Sequence, residues 1–257
     1  MEDIIKIMLL AIVQGITEFL PISSSGHLVI TKHFLDLRDG GATLEIILHS
    51  GTLVSIIIFY RYRLVEIIKK LAEKDPTEWR YLKFIIIAII PISFIGFMYA
   101  DDIQNLFSNT LATSIMLIFT GIFLIFSNFF KFNNLRLSNT SSLIIGLGQM
   151  LALLPGISRS GMTIGIARLF GIESKKAAEF SFLIAIPVLF GVLIHFIFTG
   201  EANNYYNFIE LFLGFIISAV VGFWALSWLV SILSRGHFWY FGIYCIFVGF
   251  VCLLILS

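Results

Sequence analysis

A carboxylate, three consecutive hydroxyls and an imidazole stand together in EFLPISSSGH (residues 18–27), with apolar sequence on both sides. A second polar cluster, PGISRSG (155–161), adds a guanidinium and two more hydroxyls. These are the side chains that attack, deprotonate or grip a phosphoryl group: Ser as nucleophile, Glu or His as its base, Arg as a fork for two phosphate oxygens. Glu18, Ser24, His27 and Arg159 are therefore the candidate catalytic residues.

The two clusters are copies of one another. Shifted by 135 residues, QGITEFLPISSSG (14–26) lies over QMLALLPGISRSG (149–161), and Gln14, Ile22, Ser23, Ser25 and Gly26 meet identical residues. In each copy a Glu follows 18 or 19 residues after the Gly, Glu45 and Glu179, at the start of a long apolar run. The reactive positions are where the copies differ: Glu18 aligns with Leu153, Ser24 with Arg159 and His27 with Met162. The scaffold is symmetric and the chemistry is not.

The elements that must hold these residues belong to a membrane. Of 257 residues 58% are hydrophobic and 13% charged, where soluble domains carry about a quarter charged. The fold class expected is an all-α polytopic membrane protein. A net charge of +1 gives no broad basic surface for nucleic acid. The 27 Phe suit a lipid-facing surface. Cys245 and Cys252, seven apart, are expected on one helix face with no disulfide or metal role. Lys6 and IMLLAIV resemble a signal peptide, but Gln14 and Glu18 interrupt the run and no A-x-A site follows, so the segment is read as part of the mature fold.

Six runs are long enough to span: 43–60, 81–99, 111–130, 177–198, 207–230 and 238–256. Segments 4–36 and 142–172 are apolar but broken in the middle, with halves too short to cross, and are expected as two re-entrant helix hairpins. The chain then reads as one membrane domain of two repeats, about 1–135 and 136–257, each with a hairpin and three spans. Three spans invert the second repeat relative to the first. Loop charge orients it. The loop 61–80, with Arg61, Arg63, Lys69, Lys70, Lys74 and Arg80, should be cytoplasmic. Asp101, Asp102 and Glu201 then fall outside, and Lys131, Arg136, Lys175, Lys176 and Arg235 inside, with Lys32 and Arg38 as minor exceptions. Both breaks meet near mid-membrane.

Pro21 ends one short helix and a Ser caps the next, so two helix N-termini face each other. Their N–H groups and dipoles favour an anion, phosphate above all. Ser23, Ser25, Gly26, Ser158, Ser160, Gly161 and Thr163 are the candidate substrate-binding residues. Each residue also has a plainer reading. Ser and Gly serve close helix packing, His27 a hydrogen-bonded core, and Glu18 a simple ion pair with Arg159. Gln14 and Gln149 bond broken-helix backbone, and Glu45 and Glu179 are helix-start charges. Arg168 and His195 receive no role. No plain reading explains both breaks and their asymmetric filling together.

QGITEFLPISSSGH, LPGISRSGMTIG and EFSFLIAIP closely resemble, in order and nearly end to end, the bacterial undecaprenyl-diphosphate phosphatase family, also called the bacitracin-resistance protein family. The resemblance implies a hydrolase of the bacterial plasma membrane, with its site facing outside. It would convert undecaprenyl diphosphate to the monophosphate carrier of cell-wall synthesis. It implies a divalent cation, Mg or Ca, with Glu18 as a metal-binding residue. The expected partners are the lipid substrate, the membrane and a second copy of the chain as a homodimer. By position, Ser25 stands where many members have Thr. Many members also carry a second Glu where this chain has Gln14, which leaves Glu18 the one carboxylate of the first motif and thins the metal site.

The mechanism this supports has Ser24 as nucleophile and Glu18 or His27 as its base. The helix N-termini and Arg159 hold the diphosphate, and a metal-activated water is the competing nucleophile. The alternative function is a transporter or flippase of a phosphorylated lipid or small anion, since inverted repeats with broken helices are typical of transporters. A third reading, a structural or assembly protein, explains neither motif.

Overall fold

The computed structural model describes residues 2–37, 42–99, 102, 103, 106, 109–129, 136–199 and 205–256. Arg38, Asp101, Lys131 and Glu201, used above to orient the chain, lie outside the described residues. Eleven helices and no strand occur among the described residues: α1 (Glu2–Phe19), α2 (Ser24–Phe34), α3 (Thr43–Phe59), α4 (Arg61–Ala72), α5 (Pro76–Met98), α6 (Thr110–Ser127), α7 (Asn139–Leu151), α8 (Arg159–Leu169), α9 (Ser174–Thr199), α10 (Phe208–Ser234) and α11 (Trp239–Leu256).

The six apolar runs all fall on helices, namely α3, α5, α6, α9, α10 and α11. Four of these, α5, α6, α9 and α10, are long and apolar enough to cross a membrane unaided; α3 counts as a fifth if it is joined to α4 across a 69° bend. Large apolar side chains face outward along them, among them Phe94, Phe97, Phe198, Phe208 and Phe247, as lipid contact requires. The chain is a multi-pass membrane protein.

One expectation needs correcting. The basic stretch 61–80 is not a loop: it holds α4 and the first turn of α5. Asp75 caps α5, accepting from the Thr77 and Glu78 amides, and Pro76 sits in the first turn, where its missing N–H costs nothing. The hairpin arms are unequal, and none is among the helices long and apolar enough to cross a membrane unaided. α1 runs 18 residues, about 27 Å at 1.5 Å per residue, and only α2, α7 and α8 are stubs of 11 to 13 residues.

The halves interlock crosswise. α1 packs on α10, and its counterpart α7 packs on α5, the counterpart of α10. α6 and α11 lie together so closely that a Cβ on Gly121 would stand 2.5 Å from the Gly242 carbonyl oxygen. This is the small-residue approach that helices in lipid use where no hydrophobic force drives them together. Phe19, Phe180, Phe182 and Phe238 fill the centre.

Candidate active site

The two breaks fold alike because their serines do the same work. Ser23 caps α2 by accepting from the Gly26 amide (3.2 Å), and Ser158 caps α8 by accepting from the Gly161 amide (3.0 Å). Ser23 pairs with Ser25 at 3.2 Å, and Ser158 with Ser160 at 3.3 Å. Each break also receives a donor from a crossing helix. Thr120 of α6 donates to the Gly156 carbonyl (2.9 Å), and Cys245 of α11 donates to the Pro21 carbonyl (3.8 Å). Cys245 and Cys252 are both free and buried, and Cys245 is thereby a backbone clamp.

The breaks differ in where they turn. Gly156 takes φ +97° in the second. Its aligned residue is Pro21, whose ring forbids a positive φ, and the left-handed position moves on to Ser23 at φ 70°. A non-glycine held there costs about 1 kcal/mol or more, and such strain gathers at functional sites. The breaks touch: a Cβ on Gly26 would lie 3.0 Å from the Gly156 Cα, and Ser160 donates to the Leu20 carbonyl across the junction at 3.2 Å.

At this junction Glu18 is the hub. It is buried, 6% exposed, at the end of α1. Its Oε1 accepts from Arg159 Nη2 at 2.6 Å, and its Oε2 from Ser24 Oγ at 2.7 Å and Gln14 Nε2 at 3.2 Å. Glu18 does pair with Arg159, then, but the pair does not exhaust the guanidinium: Nη1 is buried with no partner. Amides 24, 25, 159 and 160 head the two helices, before the first intrahelical bonds from His27 N to Ser23 O and Met162 N to Ser158 O. Ser24, Ser25 and Arg159 are half-buried, whereas Ser160, Gly161 and Thr163 are buried. Thr163 bonds Ser181 at 2.6 Å and the Arg159 carbonyl at 2.9 Å, so it acts within the packing of α8 on α9.

His27 is placed differently from its expected role as the base for Ser24. Its Nδ1 lies 2.8 Å from the Ser23 carbonyl and must donate to it, which makes Nε2 the acceptor for the Tyr244 hydroxyl at 2.9 Å. The ring stacks on Tyr244 of α11 with an interplanar angle of 8°. Both nitrogens are used, and neither is bonded to Ser24. A different histidine reaches the hub. His49 Nδ1 lies 2.8 Å from Gln14 Nε2 and 3.3 Å from Glu18 Oε2. Nothing in the repeat marks His49, since its counterpart is Ile184. The available signal is an ionisable residue inside an apolar helix, one turn after Glu45.

Of the supporting residues, Gln14 reaches the hub, and Gln149 donates to the Ala88 carbonyl at 3.4 Å, as a group that holds helix backbone should. Glu45 is paired with Lys32 and Glu179 with Arg63 (3.0 Å), and neither is hydrogen-bonded to Glu18. Arg168 donates to Asn128 Oδ1 at 3.0 Å and lies over the Phe238 ring.

No group of three or more His, Cys, Asp or Glu side chains able to hold a metal ion occurs among the described residues. One feature of the hub nevertheless fits a cation. Gln14 is fully buried and its Oε1 has no hydrogen-bond partner, beside the Glu18 carboxylate. An orphaned amide oxygen next to a carboxylate is the donor chemistry of hard divalent ions.

Comparison with known proteins follows the same lines. The family model described as Bacitracin resistance protein BacA matches residues 7–251. Undecaprenyl-diphosphatase 1 of Bacillus licheniformis is 35% identical over 98% of this chain and 97% of its own. The undecaprenyl-diphosphatase of Halothermothrix orenii is 36% identical, and that of Christiangramia forsetii 34%, each over 98% of both chains.

Proposed function

The chain belongs to the bacitracin resistance protein BacA family, and we propose that the junction of its two hairpins is where it acts on lipid diphosphate. The chain is an undecaprenyl-diphosphatase, a membrane hydrolase that takes undecaprenyl diphosphate to undecaprenyl phosphate and phosphate. The observation that carries the site assignment is the Ser24 hydroxyl donating at 2.7 Å to a buried carboxylate whose other oxygen is held by Arg159 at 2.6 Å.

Ser24 Oγ attacks the terminal phosphorus as Glu18 Oε2 takes its proton. The bond from that phosphorus to the bridging oxygen breaks, and undecaprenyl phosphate leaves. Glu18 passes that proton to the departing undecaprenyl phosphate, then takes a proton from the water that attacks the phosphoserine and returns it to Ser24 Oγ as the phosphorus–Oγ bond breaks and phosphate leaves. Arg159 Nη2 holds Glu18 in place, and the unpartnered Nη1 is left to bind a phosphate oxygen, the two arms of one fork serving base and substrate. The first-turn amides of α2 and α8 supply further donors to the charge that develops on the phosphoryl oxygens. Glu18 and the Gln14 oxygen would hold a divalent cation of the Mg or Ca class, which would supply positive charge to the diphosphate.

We also assign the repeats opposite orientations, with the site open to the external side. The crosswise packing of α1 on α10 and α7 on α5, and the basic residues on α4 and at the start of α5, support this. The test of the function is phosphate release from undecaprenyl diphosphate by purified protein in detergent, with and without chelator. Detergent abolishes vectorial transport and leaves hydrolysis measurable. Release that disappears in Glu18→Gln places the reaction at this junction, and release unaffected by that change places it elsewhere.

A further inference from the structure

We infer that Gln14, Glu18 and His49 form one face of a divalent-cation site, with the His49 imidazole as its third ligand. The proposal rests on the hydrolase reading above and adds a ligand to it.

Three polar atoms make a near-equilateral triangle. Gln14 Nε2 lies 3.2 Å from Glu18 Oε2 and 2.8 Å from His49 Nδ1, and Glu18 Oε2 lies 3.3 Å from His49 Nδ1. These contacts cannot all be hydrogen bonds. If Nδ1 carries a proton to give Glu18, it repels the amide N–H; if it does not, it faces the carboxylate lone pairs. Meanwhile the fully buried Gln14 leaves its Oε1 without a partner. Rotating the amide by 180° exchanges its nitrogen and oxygen, a choice that hydrogen-bond partners decide. Three acceptors would then converge: Gln14 Oε1, Glu18 Oε2 and a neutral His49 Nδ1. Such an arrangement is one that a bound cation stabilises.

The spacing suits a divalent cation. Neighbouring donors on an octahedral ion stand √2 bond lengths apart, about 3.0 Å for bonds of about 2.1 Å, and the triangle spans 2.8–3.3 Å. An imidazole nitrogen among the donors also admits transition ions such as Mn2+. Ser24 remains bonded to the same Glu18 oxygen at 2.7 Å, which places the nucleophile beside the cation.

The test uses Mn2+ as probe on the full-length protein in detergent. Electron spin-echo modulation should show one bound Mn2+ with a directly coordinated histidine nitrogen. His49→Gln should abolish the nitrogen modulation and weaken Mn2+ binding at least about tenfold, while His27→Gln keeps the modulation. His49→Asn, also run on monodisperse protein, guards against a folding effect of one variant. Undecaprenyl diphosphate hydrolysis is measured on the same preparations. Active wild-type protein without nitrogen modulation, or modulation that survives both His49 variants, overturns the assignment of His49 and leaves the hydrolase reading standing. Absence of hydrolysis with modulation present overturns that reading and keeps the metal site.

Discussion

Arg159 Nη2 and Glu18 Oε1 meet at 2.6 Å across the junction of two hairpins that come from opposite halves of the chain. Glu18 lies in the last turn of α1 and Arg159 opens α8, so the pair links the two breaks. Its other consequence is geometric. One arm of the guanidinium is bonded to Glu18 and the other is buried and unpartnered, which leaves that second arm for the phosphate oxygen of the proposed mechanism.

Arg159→Lys tests that division. Lysine keeps the charge and can still reach Glu18, but it cannot offer two parallel donors. The expected result is a fall in kcat of about 10²–10³, the scale for losing a donor to the transition state, with protein yield and thermal midpoint near wild type. Turnover within a few fold of wild type would show that the second arm does not bind phosphate.

How much of this was legible in the sequence depended on whether the repeat marked it. The breaks and the Ser caps follow from comparing the two copies, because a shared backbone solution leaves shared residues. Glu18, Ser24 and Arg159 stood out where the copies disagree. His49 did not, since it lies in a regular apolar helix with no break or cap to flag it, and only folding brings it to Glu18. His27 misled for the opposite reason. Its three-residue spacing from Ser24 allows one helix face, but the Ser23 carbonyl and Tyr244, 217 residues further on, decide where the ring points. α4 was hidden because its charges read as a loop, although its apolar residues recur at helical spacing.

Away from the site, Arg63 of α4 binds Glu78 through both nitrogens (3.0 and 3.2 Å) and Glu179 through Nε (3.0 Å). Glu78 is only 5% exposed, so Arg63→Gln leaves a buried carboxylate unpaired. Removal of one partner should cost about 3 kcal/mol, the lower end for buried pairs because Arg63 is itself partly exposed. Thermal unfolding in detergent should show a clear fall in Tm, and adding Glu78→Gln should recover most of it. A double variant no more stable than Arg63→Gln would show that the pair does not anchor α4.

The opposed orientation of the repeats has a direct readout. Cysteines introduced at Lys70 and at Asp102, on a background lacking Cys245 and Cys252, are labelled with a membrane-impermeant reagent in intact cells. The expected result is labelling at 102 from outside, and at 70 only after the membrane is opened. Labelling of both from the same side would remove the inverted arrangement.

Ser24 is the sharpest test of the chemistry. Its hydroxyl donates to Glu18 Oε2 at 2.7 Å, the geometry of a nucleophile with its base in place. Ser24→Ala deletes that nucleophile without changing backbone, because the cap of α2 belongs to Ser23. If Ser24 attacks, activity should fall to background, at least about 10³-fold. If water attacks directly, with Glu18 as its base, the loss should be about 10–100-fold, from weakened positioning alone. Oxygen isotope from solvent cannot separate the two, because both routes put solvent oxygen into the released phosphate. Trapping can. Acid quench during turnover, followed by mass spectrometry of the peptide holding Ser23, Ser24 and Ser25, should show phosphate on Ser24. Glu18→Gln slows both formation and hydrolysis of the phosphoserine and should lower the trapped fraction per unit time. No phosphoserine at any quench time, together with substantial turnover in Ser24→Ala, would exclude the covalent route and leave water as the nucleophile.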